Sequence, residues 1–177
     1  GNVIFDNTAA SLPSNLPSYG PEAYSYTEWG GGATFAGTAR KLSTATVTMS
    51  SWACQSGSWD AGCVTTPGAT YDVPITFSVY AVGTGNVVGT LITSKTQTFA
   101  IPYRPSADTT NCSATPTKWF DSTTCFNGKA VNITFTFPAG TTLPGAAIFG
   151  VTFSTRDSGC SPPGGTGGTT ASHHIAQ

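Results

Sequence analysis

Two histidines, two glutamates, six aspartates and five cysteines are the side chains through which this chain could do acid–base or metal chemistry. Both histidines, His173 and His174, lie in a Gly-rich C-terminal stretch. A triad hydrolase needs its base held within hydrogen-bond reach of a serine or cysteine by rigid surroundings. No Gly-x-Ser-x-Gly elbow accompanies the pair. The histidines could hold a metal weakly, and a solvated tail is their plainer reading.

The glutamates are Glu22 and Glu28. A glycosidase sets two carboxyl groups roughly 5–10 Å apart. On one strand these two would stand roughly 20 Å apart at about 3.3 Å per residue. Either would therefore need an aspartate from elsewhere. Asp6, Asp60, Asp72, Asp108, Asp121 and Asp157 fall mostly in loops or at strand ends. They offer oxygen ligands for a structural calcium, the one cofactor to consider, but no Asp-x-Asp-x-Asp loop gathers them. Turns and caps are their ordinary work.

The aromatics offer a different chemistry. Tyr19, Tyr24, Tyr26 and Trp29 cluster early in the chain, and Trp52 and Trp59 flank a cysteine-bounded segment. Planar rings can stack on sugar rings and cover their CH faces. Tyr24, Tyr26, Trp29 and Trp59 are the candidate ligand contacts, with core packing as the alternative for each. Trp59 and Trp119 sit beside cysteines, so packing on a disulfide is as natural there.

Cys54 and Cys63 bracket one polar segment, and Cys112 and Cys125 bracket another. Two local bridges are the simplest pairing, although four cysteines allow three. Zinc would want CxxC-type spacing or nearby histidines, and neither is present. Disulfides persist outside the reducing cytosol, so the expected location is secreted or extracellular. Cys160 is left without an evident partner. The chain opens Gly-Asn-Val, which fits a mature chain whose leader has been removed.

These groups must be positioned by strands. Charged residues make up 8% of the chain, hydrophobic residues 38% and aromatics 11%. Ser, Thr, Gly and Asn supply the polarity, which suits sheets better than long helices. The net charge is −1 with only seven Lys and Arg, so no basic stripe is available to neutralise phosphates and no nucleic-acid partner is expected. No apolar run approaches the roughly 20 residues of a membrane-spanning helix.

Period-two alternation predicts strands over residues 2–6, 22–29, 41–52, 71–82, 87–101, 131–137 and 146–154, and Gly30-Gly31-Gly32 interrupts before a short resumption at 33–36. Gly83-Thr-Gly-Asn86 predicts a hairpin turn. About eight strands broken by Gly and Pro turns imply an all-β, antiparallel, jelly-roll-like β-sandwich over residues 1–157. Residues 158–177, rich in Gly and Pro, read as a flexible tail. Asn111-Cys-Ser and Asn132-Ile-Thr match the glycosylation pattern.

The words Ala-Thr-Val-Thr-Met-Ser-Ser-Trp-Ala-Cys (45–54), Pro-Ile-Thr-Phe (74–77), Gly-Thr-Leu-Ile (89–92) and Ile-Pro-Tyr-Arg-Pro (101–105), together with the opening Val-Ile-Phe-Asp, carry a resemblance. Residues 3–153 resemble a β-sandwich domain of secreted and surface-anchored bacterial proteins. The resemblance implies an extracellular sandwich and departs after Phe153, where such domains continue with further strand and cysteines. The function expected is a non-catalytic extracellular module for adhesion, carbohydrate contact or surface assembly, with polysaccharide or another surface protein as partner. The alternative is a small secreted hydrolase using carboxylates or a loop-bound metal.

Overall fold

The computed structural model describes residues 1–20, 24–153 and 173–175. The described chain is all-β and every strand pair is antiparallel. The strands are β1 (Trp29–Thr34), β2 (Thr44–Ser51), β3 (Ser56–Ser58), β4 (Ala61–Val64), β5 (Thr70–Val82) and β6 (Val88–Pro102), followed by β7 (Trp119–Phe120), β8 (Cys125–Phe126), β9 (Lys129–Thr136), β10 (Ala146–Phe153) and β11 (His173–Ile175). One sheet runs β1-β10-β5-β6 and another β11-β2-β9; β3-β4 and β7-β8 are small ribbons. None of the described helical turns is long and apolar enough to cross a membrane.

Alternation decides which faces meet. Val47 and Met49 on β2, Val73, Ile75, Phe77 and Val79 on β5, Ile133 and Phe135 on β9, and Ala147 and Val151 on β10 form one buried cluster. Burying each large apolar side chain contributes about 1.5–3 kcal/mol. The opposite faces carry hydroxyls that pair across strands: Thr46 with Thr134 at 2.8 Å, and Thr76 with Thr96 at 2.7 Å. Thr48 donates to Asn132 Oδ1 at 2.7 Å, so Asn132 faces outward from β9. Where the two large sheets meet, Gln97 of β6 donates to the Thr134 carbonyl and accepts from the Thr136 amide. That side chain satisfies backbone groups along an otherwise open edge of β9.

The hairpin predicted at residues 83–86 joins β5 to β6, closed by Gly83 N to the Val87 carbonyl at 2.8 Å. Gly85 and Asn86 take positive φ, +77° and +62°, as the turn demands. Both proposed disulfides form, Cys54–Cys63 and Cys112–Cys125. They suit an oxidising environment. Each brackets one of the small ribbons, which is why the strands number more than eight.

Three expectations need correction. Residues 2–6 form no strand: among the described residues the bond from Ala36 N to the Ile4 carbonyl at 2.7 Å, the packing of Ile4 on the core and a Phe5–Phe149 ring contact hold them. Residues 24–28 form no strand either. Tyr24 N donates to the Gly20 carbonyl and Ser25 has φ +53°, so the chain turns there. Gly30-Gly31-Gly32, read as a break, lies within β1 and pairs with Gly150, Phe149 and Ile148. A side chain on Gly30 would collide with the Phe149 carbonyl, so glycine is what lets the two strands close. Glu22, Asp157, Cys160 and most of the 158–177 segment lie outside the described residues; within that segment, residues 173–175 pair with Ser51, Ser50 and Met49 of β2.

The aspartates hold turns. Asp121 accepts from the Ser14 hydroxyl at 2.7 Å and from the amides of Thr123 and Thr124. Asp108 accepts from the Asn111 side chain and from the amides of Asn111 and Thr110. Asp6 accepts from the Thr8 hydroxyl and amide. These bonds hold all three carboxyls below the ordinary aspartate value of 3.8, the Ser14 hydroxyl being the largest cause at Asp121. A carboxyl lowered on folding stabilises the fold above its unfolded value and loses that contribution as pH falls through the folded one. Melting temperature is therefore expected to drop below about pH 4, and Asp121→Asn to make that drop shallower. Melting curves of both chains between pH 6 and pH 2 check this; superimposable acid limbs would refute it.

Candidate functional site

The early aromatics converge. The turn at residues 24–28 brings Tyr24 and Tyr26 back toward Tyr19 at the start of β1. Tyr19 stacks on Trp29 with centroids 5.1 Å apart and meets Tyr24 edge-on at 4.9 Å. Tyr26 lies 5.2 Å from Trp29 and its hydroxyl donates to the Tyr19 carbonyl. Tyr19 and Tyr24 are 47% and 59% exposed, so the cluster shows solvent two rings and keeps Trp29 beneath them, against the core. Trp29 Nε1 is buried and has no hydrogen-bond partner among the described residues.

Trp59 stands apart from this group. It meets Trp52 edge-on at 5.2 Å, beside the Cys54–Cys63 loop. Its carbonyl accepts from Arg104 Nη1 at 3.2 Å. Trp119 is buried, and its Nε1 donates to the Gly128 carbonyl at 2.7 Å. Both act in holding the cysteine loops.

Immediately beyond Trp29 the outer face of the four-stranded sheet hollows into a groove of about 720 Å³, within the usual size of small-molecule sites, about 300–1,000 Å³. Successive residues of β1 point to opposite faces, so Trp29 turns inward and Glu28, Gly30 and Gly32 face the groove. Gly30, Gly32 and Gly150 give it a floor without side chains. Val82, Asn86 and Val88, from the β5–β6 hairpin, form one wall. The hairpin bends because Tyr80 faces Leu91 while Val79 faces Thr93, which leaves Ile92 as an extra residue on β6. Bulges of this kind kink a strand and re-aim its side chains.

Tyr80 keeps the regular alternation of β5, which turns Val79 inward and Tyr80 outward over the groove. Its hydroxyl donates to Glu28 at 2.9 Å and 3.1 Å, one distance to each carboxylate oxygen. The Ser78 hydroxyl pulls the phenol's pKa down, while partial burial and the Glu28 carboxylate push it up, and the net direction is upward. The phenol therefore stays protonated and keeps donating. Gly150 makes room for this pair, since a side chain there would collide with the Glu28 carboxylate.

Sequence reasoning assembled the aromatic cluster and missed the groove. The sequence presents Glu28 only as half of a carboxylate pair. Tyr80 and Gly150 come from strands remote in sequence. Among the described residues no group of three or more His, Cys, Asp or Glu is gathered to hold a metal. No family model, curated protein or solved structure matches the chain.

Proposed function

We propose that this chain is an extracellular, non-catalytic carbohydrate-contacting module, a jelly-roll-like β-sandwich in which the two large sheets are the layers. The observation that carries this reading is the Tyr19–Tyr24–Tyr26–Trp29 cluster. Four rings meet here, Tyr19 stacked on Trp29, Tyr24 edge-on to Tyr19 and Tyr26 tilted against Trp29, and two of them are turned to solvent where a sugar face could lie on them. Ring contacts are worth about 0.5–1.5 kcal/mol each. The two disulfides support an extracellular location.

The test is retention of the purified chain on insoluble polysaccharides, with calcium or with chelator, while the supernatant is assayed for released sugar. Retention without release is expected, and Tyr24→Ala should weaken it by about 2–10-fold, the equivalent of one ring contact. Sugar release would favour the hydrolase reading instead. Loss of retention in chelator would point to a calcium-dependent contact.

Surface assembly is the second reading, favoured by β11. Its pairing covers the outer edge of β2 through backbone bonds, and the same residues of another copy could make the same bonds. A chain ending at residue 157 would distinguish the two: loss of self-association with unchanged polysaccharide retention would assign the last segment to assembly.

A further inference from the structure

The structure assigns the glycine-floored groove to a protonated amino sugar, a sugar ring bearing a primary ammonium group, held by Glu28. This inference rests on the carbohydrate reading and narrows it to a substrate class.

Gly32 is a glycine that the fold does not need. Glycine inside a strand is destabilising by roughly 0.5–1 kcal/mol relative to alanine. Gly30 and Gly150 have steric reasons to be glycine, the Phe149 carbonyl and the Glu28 carboxylate. Gly32 has none. Its φ is not positive, and a Cβ there would meet nothing within 4 Å. A glycine that neither backbone conformation nor a neighbour demands marks a place where something outside the chain comes close. The space above Gly32 is the groove.

The lining then states the charge of the occupant. Among the described residues Glu28 is the only charged side chain around the groove, and the neighbouring walls include the aliphatic Val82, Val88 and Ile148. An occupant covering Glu28 takes water from a carboxylate, which is costly unless a cation replaces it. Tyr80 supplies one donor and fixes the carboxylate's orientation. A carboxylate has about four lone-pair sites, so acceptor capacity remains for an ammonium, which brings three donors and no acceptor. The side-chain-free floor lets a flat ring lie against the strands with its amine at Glu28. The same polymer could run past the start of β1 to Tyr19 and Tyr24.

The experiment compares retention on insoluble poly-glucosamine, protonated at pH 6, with retention on its N-acetylated form at equal salt. The parent chain should bind the amine polymer at least tenfold more tightly. Glu28→Gln keeps an acceptor for Tyr80 and should erase that preference. Gly32→Leu, whose Cβ would meet nothing within 4 Å and whose side chain would stand in the groove, should erase it too. Asp72→Asn makes the same charge change on an exposed part of β5 roughly 26 Å along the strand from Tyr80 and should keep the preference. Tyr24→Ala should weaken binding to both polymers.

Equal retention of the parent chain on the two polymers would overturn the amine assignment and leave the carbohydrate reading standing. A preference that survives Glu28→Gln, or that Asp72→Asn removes as well, would mean general attraction to a cationic surface and would also overturn it. Retention on neither polymer would overturn both.

Discussion

Arg104→Met is expected to unfold roughly 6–20 °C below the parent chain. Arg104 is fully buried. Among the described residues its guanidinium has no carboxylate partner; it donates instead to carbonyls of Trp59 at 3.2 Å, Thr117 at 2.6 Å and Pro105 at 3.2 Å. Burial lowers its pKa to about 10, so it remains charged at neutral pH. Those carbonyls belong to the first cysteine loop, the second cysteine loop and the chain just after β6. Methionine would fill much of the space and leave three inward carbonyls without donors, at about 1–3 kcal/mol each. Removing the buried charge offsets part of this, which sets the net loss at about 3–5 kcal/mol. For a chain of this size each kcal/mol is worth about 2–4 °C. Arg104→Lys should recover little, because one ammonium cannot reproduce the planar fork. Thermal melts of the three chains decide the matter, and a methionine variant as stable as the parent would show that the loops hold without the arginine.

Phe135→Ala should cost a similar amount for a different reason. Phe135 is wholly buried on β9, 5.4 Å from Phe77 and 4.9 Å edge-on from Phe99. Those rings belong to β5 and β6, so Phe135 is where the two large sheets are joined through apolar contact. Truncating a core phenylalanine costs about 3–5 kcal/mol, the transfer of the ring plus the cavity left behind. Urea denaturation measures it. A loss under about 1 kcal/mol would mean that the sheets close up around the gap.

The two predictions show unevenly in the sequence. Phe135 was legible, because it stands in the alternation Val131, Ile133, Phe135 and Phe137, and strict period two identifies an inward face. The hairpin at residues 83–86 was legible from its glycines and asparagine, which tolerate the φ the turn needs. The two disulfides are the simplest of the three pairings that four cysteines allow, and the structure makes the choice. Arg104 was visible only as part of a word, Ile-Pro-Tyr-Arg-Pro. Nothing local shows that its side chain turns inward to carbonyls 45 residues earlier and 13 later.

The candidate site failed in the same way. Residues 22–29 alternate as a strand would, but the tyrosines at 24 and 26 answer to Tyr19 and Trp29, and the chain turns so that these rings can meet. Gly30-Gly31-Gly32 carries the ordinary signature of a break. It is a strand because Phe149 and Gly150 lie beside it, and a glycine's neighbours across a sheet cannot be read from its neighbours along the chain. Tyr80 meets Glu28 across β10, where Gly150 leaves the room, and nothing along the chain brings residues 28, 80 and 150 together.

The pairing of Gly30 with Gly150 sets an order of events. β5 and β6 are joined by a tight turn and can pair early, since short loops close at small entropic cost. The strands that make the groove floor come from opposite ends of the described chain, and contacts so distant in sequence form slowly and late. Among the described residues β1 is also an outer strand, paired on one side only, and such strands open most easily from the native state. Amide hydrogens of β1 should therefore exchange faster than those of β5. An occupant lying across β1 and β10 would slow them, so ligand binding and the last stage of folding would be read by the same few protons.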